Sequence, residues 1–223
     1  IEIGMPFSDP MADGPAIQQS SLRALGNGQD MKKTISMVKK FRTQNDHTPI
    51  ILMGYYNPIL QFGTQNFLQQ CDLIGVDGLI VVDLPIEHDE ELSRPAKEMG
   101  IDFINLVTPT TSPERLKNIL EVSSGFLYYV SIAGITGTKA PDIKNLQNII
   151  NKIKTYTDIP IGVGFGIKDS GQVKNISQFS DAVVVGSAIV QKINNLKEQN
   201  LNDQDLVSSL TNYLLDLSSG LNT

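Results

Sequence analysis

With 223 residues, 40% of them hydrophobic and 19% charged, the chain can bury a large core and is not an intrinsically disordered protein. Asp and Glu outnumber Lys and Arg by 24 to 18, a net charge of −6 without any basic block, which argues against nucleic acid and anionic membrane as extended partners. No run approaches the roughly 20 apolar residues of a membrane span. The single cysteine, Cys71, has no partner for an internal disulfide, which fits a reducing compartment.

Short β-branched apolar runs alternate with segments of helical spacing. A strand opens the chain over residues 1–4, and a loop with three prolines, Pro6, Pro10 and Pro15, follows it. The spacing then predicts a helix over 31–42, a strand over 49–55, a helix over 64–74 closed by Gly75, a strand over 78–83, a helix over 89–99 closed by Gly100, and a strand over 101–109. Beyond these come a helix over 113–122, with Ser112 as N-cap and Pro113 at its first position, and a strand over 126–131. A helix over 143–155 behind Asp142, a strand over 159–166, a helix over 170–176 capped by Asp169, a strand over 181–187 and a helix over 205–217 complete the pattern.

The strands are apolar nearly throughout rather than alternating, the mark of a parallel sheet covered on both faces. About seven βα units without a linker read as one α/β domain spanning 1–223. A seven-stranded doubly wound sheet is one arrangement. A (β/α)8 TIM barrel, typically of about 250 residues, fits better if its first βα unit is lacking from this sequence, because the chain starts in mid-strand without methionine. Strands at Glu2 and Val183 would then be the edges that unit leaves open.

In a barrel the chemistry sits in the loops after the strands. Glu2 lies within an apolar strand, where desolvation raises a carboxyl pKa toward the range useful for acid–base work, and Asp13 stands across the following loop. The bland alternatives are a strand-end residue and a turn residue before Gly14-Pro15. Glycine clusters at 134–137, 162–166 and 186–189 include two that follow late strands, where barrels bind phosphate through backbone N–H groups and a helix N-terminus. A small phosphorylated substrate follows from that reading. A dinucleotide fingerprint is disfavoured, because the cluster comes late and Asp181 begins its strand rather than ending it. His47 and His88 lack partners at ligand spacing, so no metal is implied, and 87–91 reads as a solvated helix start. Ser8, Ser131 and Ser187 lack the context of a serine nucleophile. One tyrosine of each pair, Tyr55-Tyr56 and Tyr128-Tyr129, can face a pocket.

The strings IEIGMPFSDPMADGPAIQ, MGYYNPI, VVDLPIEH, SIAGITGT, GVGFGI and VVVGSAIV, in this order and over the whole chain, resemble the α subunit of tryptophan synthase. The resemblance implies a TIM-barrel lyase of tryptophan biosynthesis that cleaves indole-3-glycerol phosphate to indole and glyceraldehyde 3-phosphate by a retro-aldol reaction. It implies no cofactor in this subunit, a pyridoxal-phosphate β subunit as partner in an α2β2 heterotetramer, and a bacterial cytoplasm or plastid stroma. Position by position it makes Glu2 and Asp13 catalytic. It assigns substrate binding to Tyr55, Tyr128, Gly137, Gly166, Gly186 and Ser187, and loop support to Asp83. Residues 6–13 and 134–141 match the two loops that close over substrate and report to the β subunit. A related barrel acting on a phosphosugar would need a catalytic Lys or metal carboxylates at strand ends. A barrel that only activates a β subunit would not need the Glu2–Asp13 pair.

Overall fold

A computed structural model of the protein describes residues 1–130, 143–164, 166–199 and 201–221. In chain order the first elements are β1 (Glu2–Gly4), α1 (Pro15–Gly26), α2 (Met31–Arg42), β2 (Ile51–Gly54), α3 (Tyr56–Phe62), α4 (Thr64–Ile74) and β3 (Gly78–Val81). A 3-10 helix (Ile86–Glu91), α5 (Ser93–Glu98), β4 (Asp102–Phe103), β5 (Leu106–Val107), α6 (Pro113–Val122) and β6 (Leu127–Val130) follow. The chain continues through α7 (Ile143–Lys154), β7 (Ile161–Gly164), α8 (Ser170–Ser177), β8 (Ala182–Val184), α9 (Ser187–Glu198) and α10 (Asp203–Ser219). The strands form two four-stranded sheets, ordered β1-β2-β3-β4 and β5-β6-β7-β8. The pairings of β1, β2, β3 and β4 and of β7 with β8 are parallel. Two compact units emerge, one of Ile1–Leu106 with Ser112–Leu127, the other of Val107–Thr111 with Tyr128–Thr223.

In the first unit the core gathers Leu52, Leu79 and Val81 from the sheet with Ile35 and Val38 of α2 and Phe67, Leu68 and Cys71 of α4. Each such aliphatic or aromatic side chain removed from water contributes about 1.5–3 kcal/mol. Burial pushes the Cys71 thiol up to about 12, so it packs as a small apolar group.

Both units fasten strand beginnings with the same device. Asp77, just ahead of β3, accepts the Ile50 N–H at 2.7 Å and the Arg42 guanidinium of α2 at 2.6 Å. Asp181, just ahead of β8, accepts the Ile161 N–H at 2.8 Å and the Lys154 ammonium of α7 at 2.9 Å. Each aspartate satisfies an amide that begins a neighbouring strand, leaving the opposite strand ends to loops of another purpose.

Three sequence expectations change. The helix expected over 89–99 is instead a 3-10 turn and the short α5, broken at Leu92, whose φ is −148°. Pro95 is the cause: it has no N–H and crowds the carbonyl four residues back, so it fits only the first turn of a helix that starts at Ser93. The strand expected over 101–109 splits into β4 and β5 around Asn105, which is 8% exposed and donates to Ser123 Oγ at 3.1 Å. Helices α1, α3 and α9 were not expected. None of the three has a side-chain N-cap.

Candidate active site

Alternation along β1 decides where the first acid points. Ile3 and Met5 pack with the core cluster, so Glu2 and Gly4 take the opposite face of the sheet, in register with Ile51 and Met53 of β2. Glu2 keeps access to solvent, and among the described residues nothing lies within 4 Å of the place a Cβ on Gly4 would occupy. Its carboxyl is nevertheless partly desolvated. Desolvation raises its pKa, the Ile1 ammonium opposes this, and the Asp13 carboxylate raises it further. The two acids therefore sense each other.

Asp13 is held by the loop after β1 and by β2. The Asp13 N–H donates to the Pro10 carbonyl at 3.1 Å, and Gln18 Nε2 of α1 donates to the Asp13 carbonyl at 2.9 Å. The phenol of Tyr55, which is 2% exposed at the end of β2, donates to Asp13 Oδ2 at 2.9 Å and accepts the Ala12 N–H at 2.9 Å. The Phe7 ring lies 5.5 Å from the Tyr55 ring, tilted by 37°. Asp83 Oδ1 accepts the Tyr56 N–H at 2.7 Å, so the residue after Tyr55 is anchored too. Burial raises the Asp13 pKa, and the Tyr55 hydrogen bond partly reverses this by favouring the carboxylate. Burial is also the largest influence raising the Tyr55 pKa, which keeps the phenol a donor. Tyr55 thus sets the position and charge of an acid.

The second unit offers bare backbone. Tyr128 lies on β6 with its ring over Gly164, the end of β7: a Cβ there would meet the Tyr128 ring at 2.2 Å. Tyr129, the other member of that pair, is buried. Two residues on, Gly166 takes φ +48°, a left-handed conformation that favours glycine. After β8, Gly186 is the N-cap of α9 and Ser187 its first residue. Among the described residues no side chain caps these amides, no acid stands in the first turn, and a Cβ on Gly186 would meet nothing within 4 Å. Such a helix start presents N–H groups and positive dipole to an anion.

Gly137, Asp142 and the loop 134–141 lie outside the described residues. Among the others, the structure gathers Glu2, Asp13 and Tyr55 in the first unit and places Tyr128, Gly166, Gly186 and Ser187 in the second. His47 meets Asp46 at 3.1 Å and His88 meets Glu91 at 2.7 Å, both on the surface. Sequence reading missed the contacts of Phe7 and of the Ala12 amide with Tyr55, and read Gly164 within the 162–166 cluster without the ring packed on it. The signal at Gly164 was a residue without Cβ at the end of an apolar strand.

Parallel strands alternating with helices define an α/β protein, in which an acid of the first strand and another in the loop after it both have raised proton affinity. Residues 1–215 match the family model of the tryptophan synthase alpha chain. The chain is similar to tryptophan synthase subunit alpha of Legionella pneumophila, with a TM-score of 0.90 and 37% identity over 99% of this chain and 80% of that one. It is similar to a chain of the tryptophan synthase complex of Pyrococcus furiosus, with a TM-score of 0.84 and 38% identity over 98% and 86% of the two chains. The A-subunit of the latter organism gives a TM-score of 0.85 and 39% identity over 98% and 86%. The chain belongs to the tryptophan synthase alpha chain family, a family of lyases in tryptophan biosynthesis. No helix among the described residues is long and apolar enough to cross a membrane.

Proposed function

We propose that this chain cleaves indole-3-glycerol phosphate to indole and glyceraldehyde 3-phosphate by a retro-aldol step, with Glu2 and Asp13 as its catalytic residues. The observation that carries the reading is the pair itself: two carboxyls close enough to interact, both with pKa raised by burial. A Glu2 that holds its proton delivers it to C3 of the indole, and the resulting carboxylate then takes the proton of the side-chain hydroxyl. The carbon–carbon bond breaks as the hydroxyl-bearing carbon becomes the aldehyde, and its electron pair quenches the ring cation. Asp13 accepts the indole N–H and stabilises the positive charge on the ring nitrogen while C3 is protonated. Tyr55 keeps Asp13 in place.

The phosphate is assigned to the amides at Gly166, Gly186 and Ser187, with Gly137 as a further binding position and Tyr128 lining the site. Holding the substrate by its non-reacting end orients the reacting end. The chain needs no cofactor of its own. Its partner is a pyridoxal-phosphate β subunit in an α2β2 assembly, and its setting a bacterial cytoplasm or plastid stroma. The test is Glu2→Gln, which keeps shape but cannot shuttle a proton: kcat for indole release should fall by roughly 10²-fold or more with substrate still bound. Indole release near the parent rate would overturn the assignment.

A further inference from the structure

The C-terminal helix α10 packs on α8 and α9, the two helices that follow β7 and β8. Its contacts fall on the loop that joins β7 to α8. The Tyr213 phenol donates to the Lys168 carbonyl at 2.9 Å, across 45 residues of sequence. On the other side of the same residue, the Lys168 N–H donates to Gln172 Oε1 at 2.7 Å, while Asp169 Oδ1 accepts the Gln172 N–H at 2.9 Å. Both backbone polar groups of Lys168 are thus tied to side chains, which fixes the peptide planes on either side of it. Ile167, next to it, is 3% exposed and anchors the loop from below. The chain has little freedom left between that anchor and Gly166.

Two further contacts keep α10 in register. Lys192 of α9 sits over the Tyr213 ring, 5.9 Å from its centre, linking the phenol to the helix that begins at Ser187. Gly220, just past α10, presses on the start of α8 so closely that a Cβ would come 2.3 Å from the Ser170 carbonyl oxygen. Burial and the carboxylates of Asp169 and Asp216 raise the Tyr213 pKa, so the phenol stays a donor.

We propose that Tyr213 is a positioning residue for phosphate binding: it holds the Lys168 peptide, and through it the Gly166 amide, in the orientation that receives the anion. The inference rests on the assignment of the phosphate to Gly166, Gly186 and Ser187. Nothing in the chemistry of cleavage requires Tyr213, whose hydroxyl reaches the Lys168 carbonyl from α10.

The test compares Tyr213→Phe, Asn212→Ala and Gly186→Val in the full chain, by calorimetry with glycerol 3-phosphate and by steady-state indole release. Asn212 is the exposed neighbour of Tyr213 and serves as control. Tyr213→Phe removes one neutral hydrogen bond and should weaken glycerol 3-phosphate by about 3- to 10-fold. It should raise KM by a similar factor, with kcat moving less and the melting temperature shifting by no more than about 2 °C. Asn212→Ala should bind as the parent does. If Gly186→Val loses the ligand but Tyr213→Phe binds as the parent, the positioning role is wrong and the phosphate assignment stands. If Gly186→Val retains the ligand, the phosphate assignment fails and the role of Tyr213 with it. A large fall in melting temperature with parallel losses in kcat and KM would make Tyr213 structural only and overturn the proposal.

Discussion

The two sheets carry opposite kinds of chemistry on similar scaffolds. The loops and strand ends of β1 and β2 present side chains, Glu2, Asp13 and Tyr55, whose usefulness depends on where their protons reside. The ends of β7 and β8 present an absence of side chains, at Gly164, Gly166 and Gly186, so that a ring can lie flat on the backbone or amides can face outward. At the first sheet proton affinity is tuned by burial and by the repulsion between two acids. At the second, orientation is tuned by one left-handed residue and one uncapped helix start. The first region should therefore respond to changes that keep shape and alter charge. The second should respond to changes that add atoms and leave charge alone.

Substitutions that exchange these sensitivities break the comparison most sharply. After Glu2→Gln, with its loss of roughly 10²-fold or more in kcat, the next largest effect is expected at the second sheet. Gly186→Val places a branched side chain where the anion would sit, with a φ of −108° that valine tolerates. Glycerol 3-phosphate affinity should fall by about 10-fold or more while the melting temperature holds. Unchanged affinity by calorimetry would remove the anion from that helix start.

A smaller effect separates charge from position at the first sheet. Tyr55→Phe removes the hydrogen bond that lowers the Asp13 pKa, so the Asp13 pKa should rise. In the proposed mechanism Asp13 acts as the anion, so the acid limb of kcat/KM should move to higher pH, with kcat falling by about 10-fold on its plateau. An acid limb that stays in place would show that Tyr55 does not tune Asp13.

Stability should change least, and in the opposite direction. Both carboxyls have folded-state pKa values above their unfolded ones, so the stability they contribute is complete below the unfolded pKa and is lost as pH rises through the folded pKa. At neutral pH each ionised acid is a small burden on the fold. Glu2→Gln and Asp13→Asn should raise the melting temperature there by at most about 3 °C. A fall in both would mean that the acids are structural.

Legibility in the sequence followed the physics of each element. Helices over 31–42, 64–74 and 113–122 were read with their observed bounds because apolar spacing and punctuation agreed, as with Ser112, which accepts the Arg115 N–H at 3.1 Å. The unread helices α1, α3 and α9 have Gly14, Tyr55 and Gly186 as N-caps, none of which caps through its side chain, so that start signal is missing and α1 keeps only Pro15 at its first position. Raised proton affinity at Glu2 was legible because a carboxyl in an apolar strand is partly desolvated even where it keeps access to solvent. The Tyr55–Asp13 bond was not, because it joins residues 42 apart through a loop whose path depends on the fold. Gly164 was visible as a glycine, but the ring above it was not.

The most direct measurement of the central claim is the titration of the Glu2 carboxyl, followed by 13C NMR in protein labelled at glutamate and assigned with Glu2→Gln. The account predicts a midpoint above the ordinary glutamate value of about 4.3, moving down in Asp13→Asn because the neighbouring negative charge is gone. A midpoint at or below the ordinary value, unmoved by Asp13→Asn, would contradict it, since Glu2 would then hold no proton to give and the two acids would not act as a pair.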